Sequence, residues 1–285
     1  MTTSTIWLDL LGAEVRYRGA KFRTRTIEAG SGEPLILIHG NGGHAEAWAK
    51  NVLRLADKRH VVAIDLVWHG LSGQPPFTVD MVPTYTEQLV ELIDDLGGGP
   101  VAIEGESLGG WVALWTALHH PDKVSKLVLN TTAGIDLRPP DAPRPDGAGL
   151  RERSIAAIQN PTDETVRARL EWLMARPERV TDELVALRKY YYTRPETRAS
   201  LTQVFENSFG KHDTYVVRAD QLQQLTVPTL VVWTEHNPGQ GPDVGKQIAD
   251  AIPGAEFEVI ADAGHWPQWE QPETHDRLLL DFLER

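Results

Sequence analysis

Six short apolar runs, each almost uninterrupted, limit what this chain can become. They are PLILIHG (residues 34–40), HVVAIDL (60–66), VAIEG (101–105), KLVLNTT (126–132), TLVVWTE (229–235) and EFEVIAD (256–262). A strand with one wet face alternates apolar and polar residues. A continuous Val/Ile/Leu run instead needs cover on both faces, as in a parallel sheet sandwiched by helices. Amphipathic stretches lie between the runs, such as TEQLVELIDDLGGG (86–99), which closes on a glycine stop. Strands alternating with helices predict an α/β fold built on a doubly wound, mostly parallel sheet. The start differs: WLDLLGAEVRYRG (7–19) and KFRTRTIEAG (21–30) read as antiparallel edge strands with turns between them.

The alternation breaks at DLRPPDAPRPDGAGL (136–150), whose Pro and Gly content reads as a linker. Helical patterns without strands follow: RERSIAAIQ (151–159), TDETVRARLEWLMAR (162–176) and TDELVALRKYYY (181–192). The last two open with Thr-Asp caps and acidic first turns. An all-helical insert over 138–215 is therefore expected inside a core made of 1–137 and 216–285. As a lid it would cover the carboxyl ends of the strands, where α/β sites lie; the alternative is a surface decoration.

Composition narrows the function. A 285-residue chain that is 41% hydrophobic can bury a sizeable core in one large domain or two small ones. It has no apolar run of about 18 residues for a membrane span. The N-terminal stretch has neither the basic nor the apolar region of a signal peptide, so a cytoplasmic protein is the expectation. The absence of cysteine excludes disulfides, thiolate nucleophiles and zinc-thiolate sites. A formal charge of −12 disfavours nucleic acid as a partner and leaves a small molecule.

The strongest local signal is VAIEGESLGGWVAL (101–114). Gly105-Glu106-Ser107-Leu108-Gly109 fits G-x-S-x-G, directly after a strand and before a helical pattern, as a nucleophile elbow requires. The turn tolerates only glycine on its flanks and pushes the Ser107 hydroxyl outward, above a helix N-terminus whose free N–H groups suit an oxyanion. The other reading is a glycine-rich turn with an idle serine. Earlier, LILIHGNGGHAEAW (35–48) runs from a strand into a glycine-rich loop. That loop can add a second oxyanion N–H, from Asn41 first and Gly42 next, beside that of Leu108. His39 reads as structural. Of ten histidines, only His265, in ADAGHWPQWEQPE (261–273), arrives after the final strand, where the base falls in the order serine, acid, histidine. Serine needs such a base because its hydroxyl is a weak nucleophile at neutral pH.

With HGNGG (39–43), DLVWHGLSG (65–73), GESLGG (105–110), HPDKVSKLVLNTTAG (120–134) and AGHWPQWEQPE (263–273) in this order, the chain resembles an α/β-hydrolase-fold enzyme along nearly its whole length. The resemblance implies an eight-stranded sheet with a helical cap and no metal or organic cofactor. More narrowly, the chain resembles the meta-cleavage product hydrolases, serine-dependent enzymes that cleave a C–C bond in 2-hydroxy-6-oxo-hexa-2,4-dienoates. Trp266 in GHWPQWE, the cap segment ELVALRKYY with Arg188, and LVLNTTAG carry this likeness. It implies that Trp266 lies beside the substrate and that Arg188 handles the carboxylate and keto-enol end of an anionic dienoate; the planar fork of Arg suits that role. Otherwise Arg188 belongs to a solvated helix face. A homo-oligomer, a dimer first, is the expected assembly. Glu106, where the group often has Asn, and Trp68, where the family turn has Gly, depart from the pattern.

The family's acid falls on Asn237, in LVVWTEHNPGQGP (230–242). An amide can accept a hydrogen bond from the base but lacks the charge that stabilises an imidazolium. Glu235 is expected to point elsewhere, Asp243 lies later in the loop, and Asp262 reads as a turn former. No carboxylate occupies 130–132, and the elbow is expected to turn Glu106 away from the site. Asn237 thus stands as the third member, natural or introduced by an Asp-to-Asn change. Three functions follow: a C–C hydrolase of ring-cleavage products, a carboxylesterase or lactonase on the same machinery, and a ligand-binding protein on a hydrolase scaffold.

Overall fold

The computed structural model describes residues 5–139, 148–208 and 213–285. Eight strands form one sheet: β1 (Glu14–Arg18), β2 (Thr24–Ala29), β3 (Pro34–Ile38), β4 (His60–Ile64), β5 (Val101–Glu106), β6 (Val124–Asn130), β7 (Thr229–Thr234) and β8 (Glu256–Ile260). Their spatial order is β1-β2-β4-β3-β5-β6-β7-β8. β2 is antiparallel to both β1 and β4, and every later pairing is parallel. The central runs are buried along nearly their whole length, as a doubly covered sheet requires.

Two expectations are corrected. EFEVIAD gives β8, but mostly exposed, because β8 is the sheet's last strand. In WLDLLGAEVRYRG only Glu14–Arg18 is extended. Ile6–Asp9 forms a short helix, α1, because Thr5 caps it by accepting from Leu8 N, and Gly12 at φ 106° turns the chain before β1.

Helices α2 (Ala49–Leu55), α3 (Met81–Asp95) and α4 (Leu108–His119) connect the parallel strands, and α4 leaves the elbow directly. Helices α5 (Ala148–Gln159), α6 (Asp163–Leu173), α7 (Asp182–Thr193) and α8 (Pro195–Ser208) follow β6. Thr162 and Thr181 cap α6 and α7 by accepting from Thr165 N and Leu184 N. Most of the stretch read as a linker, residues 140–147, lies outside the described residues. α9 (Ala219–Leu222), α10 (Pro242–Ala251), α11 (Pro267–Glu270) and α12 (Pro272–Leu283) complete the chain.

A buried polar joint ties α7 to the sheet. Arg25 on β2 donates to Glu46 (2.6 Å) and Asp65 (3.1 Å), and Tyr191 on α7 donates to the same Glu46 (3.0 Å). Burial alone would raise the Glu46 carboxyl, but His44 and Arg25 hold it below the usual carboxylate range. Breaking such a pair would leave a buried charge uncompensated, which fixes α7 over the strand ends.

Candidate active site

β5 ends at Glu106, and Ser107 turns the chain into α4 at φ 54°, ψ −113°. That conformation costs roughly 1–3 kcal/mol for a residue with a side chain. The surroundings impose it. A Cβ on Gly105 would lie 2.1 Å from the Gly109 carbonyl, and one on Gly109 would lie 2.4 Å from that of Ile38. Strand and helix can therefore meet only through glycine, and the serine between them is forced outward. Ser107 N donates to Asn130 O at 3.0 Å, which pins the elbow to β6.

His265 lies between β8 and α11. Its backbone is held on both sides: its N–H donates to Leu173 O at 2.6 Å, and its carbonyl accepts from Thr131 Oγ1 at 2.9 Å. Ring Nδ1 lies 2.7 Å from Asn237 Oδ1. With Nδ1 as the donor, Asn237 fixes the tautomer that leaves Nε2 free to accept a proton. Asn237 is thus brought to the histidine as the sequence reading expected. The other acids are not. Glu235 accepts from Asp262 N, Asp262 pairs with Arg176 and Arg179, and Asp243 is exposed at the start of α10.

Glu106 is a correction. The elbow does not turn it away from the site: Glu106 Oε1 lies 3.0 Å from His265 Nε2. Gly40 makes room, since a Cβ there would sit 2.4 Å from Glu106 Oε2. Both Glu106 oxygens are buried without a hydrogen-bond partner, so the contact is close but out of line with the ring N–H direction. Ser107 Oγ makes no hydrogen bond to His265 among the described residues.

Ser107, His265, Glu106, Asn41 and Trp266 share a small cavity of about 30 Å³ with Gly40, Leu150, Arg169 and Leu173. Leu108 follows the serine at the first position of α4. The Asn41 carbonyl accepts from Arg169 Nη2 at 2.7 Å, and that of Gly42 accepts from Arg188 Nη1 at 2.6 Å and from the Tyr192 hydroxyl at 3.1 Å. The helices above the sheet therefore hold both peptide planes of the loop. Gly42 does not line the cavity; a Cβ there would strike Phe205 and Tyr192.

Arg188 is 1% exposed, so the solvated-face reading of its helix position fails. Its guanidinium lies 5.3 Å from the Trp266 ring, which brings those two residues together, but it stands behind the cavity wall. The lining cation is Arg169, which the sequence reading missed. It is buried on α6, donates to Ser154 Oγ, and leaves Nη1 unpaired, while Arg188 leaves Nε and Nη2 unpaired. Burial draws the Arg169 guanidinium down from its usual range, Arg188 adds to this, and Tyr192 and Glu106 oppose it. Neither arginine has an ion pair among the described residues. Two buried cations with spare N–H groups are costly unless an anion meets them. A signal for Arg169 existed: it shares the buried face of α6 with Val166 and Leu173, three and four positions away.

The alpha/beta hydrolase fold profile matches residues 33–272. The chain belongs to the alpha/beta hydrolase fold family. Among its relatives is a 2-hydroxy-6-oxononadienedioate/2-hydroxy-6-oxononatrienedioate hydrolase of Burkholderia vietnamiensis, 30% identical over 94% of this chain and 93% of that one. Another is a 2-hydroxymuconate semialdehyde hydrolase of Pseudomonas putida, 29% identical over 96% of this chain and 94% of that one. The 2-hydroxy-6-oxo-6-phenylhexa-2,4-dienoate hydrolase of a Rhodococcus strain superimposes with a TM-score of 0.85 at 24% identity, covering 96% of this chain and all of that one, which shows the shared fold.

Within that family's frame three other histidines are structural. His39 donates from Nδ1 to Gly40 O and accepts Leu66 N at Nε2. His44 and His69 are buried, and burial lowers both to about 4, so they stay neutral at physiological pH. Trp68, in the family's glycine position, adopts φ 65° and is fully buried, donating from its ring to Pro75 O. No helix of the described residues is long and apolar enough to cross a membrane.

Proposed function

We propose that this hydrolase cleaves the C–C bond of a 2-hydroxy-6-oxo-hexa-2,4-dienoate-type ring-cleavage product, with Ser107 as nucleophile and His265 as base. The observation that carries the reading is a pair of buried, incompletely bonded arginines: Arg169, which lines the cavity of Ser107 and His265, and Arg188, which stands behind its wall. They suit a substrate with an anionic 2-hydroxy-dienoate end, and the relatives named above act on such compounds. Helices α5–α8 serve as the lid, since α6 and α7 carry both arginines.

The dienol first ketonises, with its carboxylate met by the Arg169 guanidinium. Ser107 Oγ, or a water activated by His265, then attacks the C6 ketone. His265 Nε2 takes the proton, and the backbone N–H groups of Leu108 and Asn41 receive the oxyanion. The C–C bond breaks, and the dienolate leaves and takes the proton from His265; where Ser107 attacked, a water deprotonated by His265 then hydrolyses the acyl-serine, which frees the carboxylic acid and restores the Ser107 hydroxyl. Trp266 lies beside the substrate and stacks near Arg188. Catalytic hydrogen bonds commonly tighten only in the substrate complex, which accommodates the open Ser107–His265 contact.

The test is loss of the dienoate absorbance on mixing, abolished by Ser107→Ala. No turnover across a set of 6-alkyl and 6-aryl dienoates would refute the substrate. The exposed Trp7, Leu8, Leu11, Val15 and Tyr17 of the α1–β1 segment support a homodimer; a monomer mass by light scattering would refute it.

A further inference from the structure

We propose that Glu106 is the charge partner of His265, and that it takes over from the residue before the nucleophile the part that a carboxylate at position 237 would play. The proposal rests on the Ser107–His265 reading and adds to it how the base is supported. In the usual arrangement one carboxylate does two things at Nδ1: it fixes the tautomer and it stabilises the imidazolium. Here these tasks are divided. Asn237 Oδ1, 2.7 Å from Nδ1, can fix the tautomer but is neutral. Among the described residues, the one carboxylate in contact with the ring is Glu106, 3.0 Å from Nε2.

Three features make this a built contact. Glu106 is 1% exposed, so solvent and salt screen it little. Gly40 exists where any side chain would displace the carboxylate, with the added Cβ only 2.4 Å from Oε2. Both carboxylate oxygens lack a hydrogen-bond partner, so no other group claims them. The charged groups facing Glu106 are His265 and, across the cavity, Arg169, whose guanidinium feels the carboxylate; Arg188 lies behind Trp266.

The off-axis position resolves the difficulty that Nε2 must also serve Ser107. A carboxylate in line with the ring nitrogen would occupy the site of proton transfer. Beside that line, it leaves the Nε2 lone pair open to the Ser107 hydroxyl. As the Oγ–carbon bond forms, the hydroxyl proton passes to Nε2. The resulting imidazolium then has the Asn237 amide oxygen on one edge and the Glu106 charge on the other. When the proton moves on to the departing carbon, the ring returns to neutral and Glu106 is unchanged. Glu106 is thus a positioning residue that acts through His265.

The experiment uses four full-length proteins: the parent, Glu106→Gln, Asn237→Asp and the double variant. Glutamine keeps the shape of glutamate, removes its charge and turns one acceptor oxygen into an amide donor, and circular dichroism verifies folding. Two readouts are taken at one neutral pH. Imidazole nitrogen NMR gives the share of His265 protonated on both ring nitrogens, and a fluorophosphonate gives the rate of Ser107 labelling. In Glu106→Gln both should fall, the labelling rate by roughly tenfold or more. In the double variant both should recover, because a carboxylate at 237 restores the charge from the opposite edge. Asn237→Asp alone should gain less than about tenfold, far below the ~10⁴ that an Asp-to-Asn change costs in a protease triad. A residue with only a packing role would not be rescued across the ring. Unchanged ring protonation in Glu106→Gln, or no recovery in the double variant, overturns the proposal. Since neither readout uses a dienoate, failure of the substrate reading leaves this result intact, and dienoate turnover does not rescue a failed one.

Discussion

Away from the cavity, His275 on α12 sits between two carboxylates, and its titration should be visible in the stability of the whole protein. Nε2 lies 2.6 Å from Glu104 Oε1 and Nδ1 lies 3.0 Å from Asp276 Oδ1. Burial favours the neutral ring, but Glu104 and Asp276 outweigh it and push the imidazole up to about 10, against 6.5 for the free side chain. A folded value above the unfolded one means that the contribution is complete below about pH 6.5 and fades as the pH rises toward 10. Evaluated from those two values, the loss between about pH 7 and about pH 9 is on the order of 2–3 kcal/mol. For a chain of this size that is roughly 5 °C in melting temperature. Glu104→Gln keeps a hydrogen-bond acceptor and removes one charge. Its stability should therefore be lower near neutrality and should converge toward the parent's as the pH rises. Urea unfolding of both proteins across that range measures the difference directly. Parallel pH curves for the two would refute the assignment of a charged His275, whatever the absolute stabilities.

The remaining predictions concern the site and its frame. Arg169→Met should raise KM for a dienoate by about ten- to a hundredfold, the value of a hydrogen bond to a charged group, and should leave ester substrates less affected; equal losses on both would show that Arg169 only supports the Asn41 loop. Gly109→Ala should fail to fold or lose all Ser107 labelling, because its Cβ would lie 2.4 Å from the Ile38 carbonyl; a folded, labelled variant would contradict the elbow geometry. Trp68→Gly would relieve the left-handed backbone, worth about 1 kcal/mol. It would also remove a buried indole that packs on Phe77 and Tyr85, worth roughly 3–5 kcal/mol. Net destabilisation of a few kcal/mol is expected by chemical denaturation, and a more stable variant would refute it.

The sequence by itself determined the sheet, the elbow and the chain order of serine and histidine. These rest on local chemistry. A doubly covered strand must be apolar at every position, a strand-to-helix turn as tight as that at Ser107 admits only glycine on its flanks, and a Thr cap declares the start of α6 or α7. The sequence erred where the neighbour decided the outcome: β8 is exposed because it is the last strand, and Ile6–Asp9 is helical because Thr5 caps it. Only the tertiary structure decided which charges meet. Glu106 reaches His265 through a gap left by Gly40, which belongs to a different strand's loop. Glu104 and His275 pair across 171 positions. Arg169 reads as one more cation on an amphipathic helix until α6 is laid over the cavity. Coulomb energy depends on separation in space and on the solvent excluded between the charges, and neither quantity has a local signature in the chain.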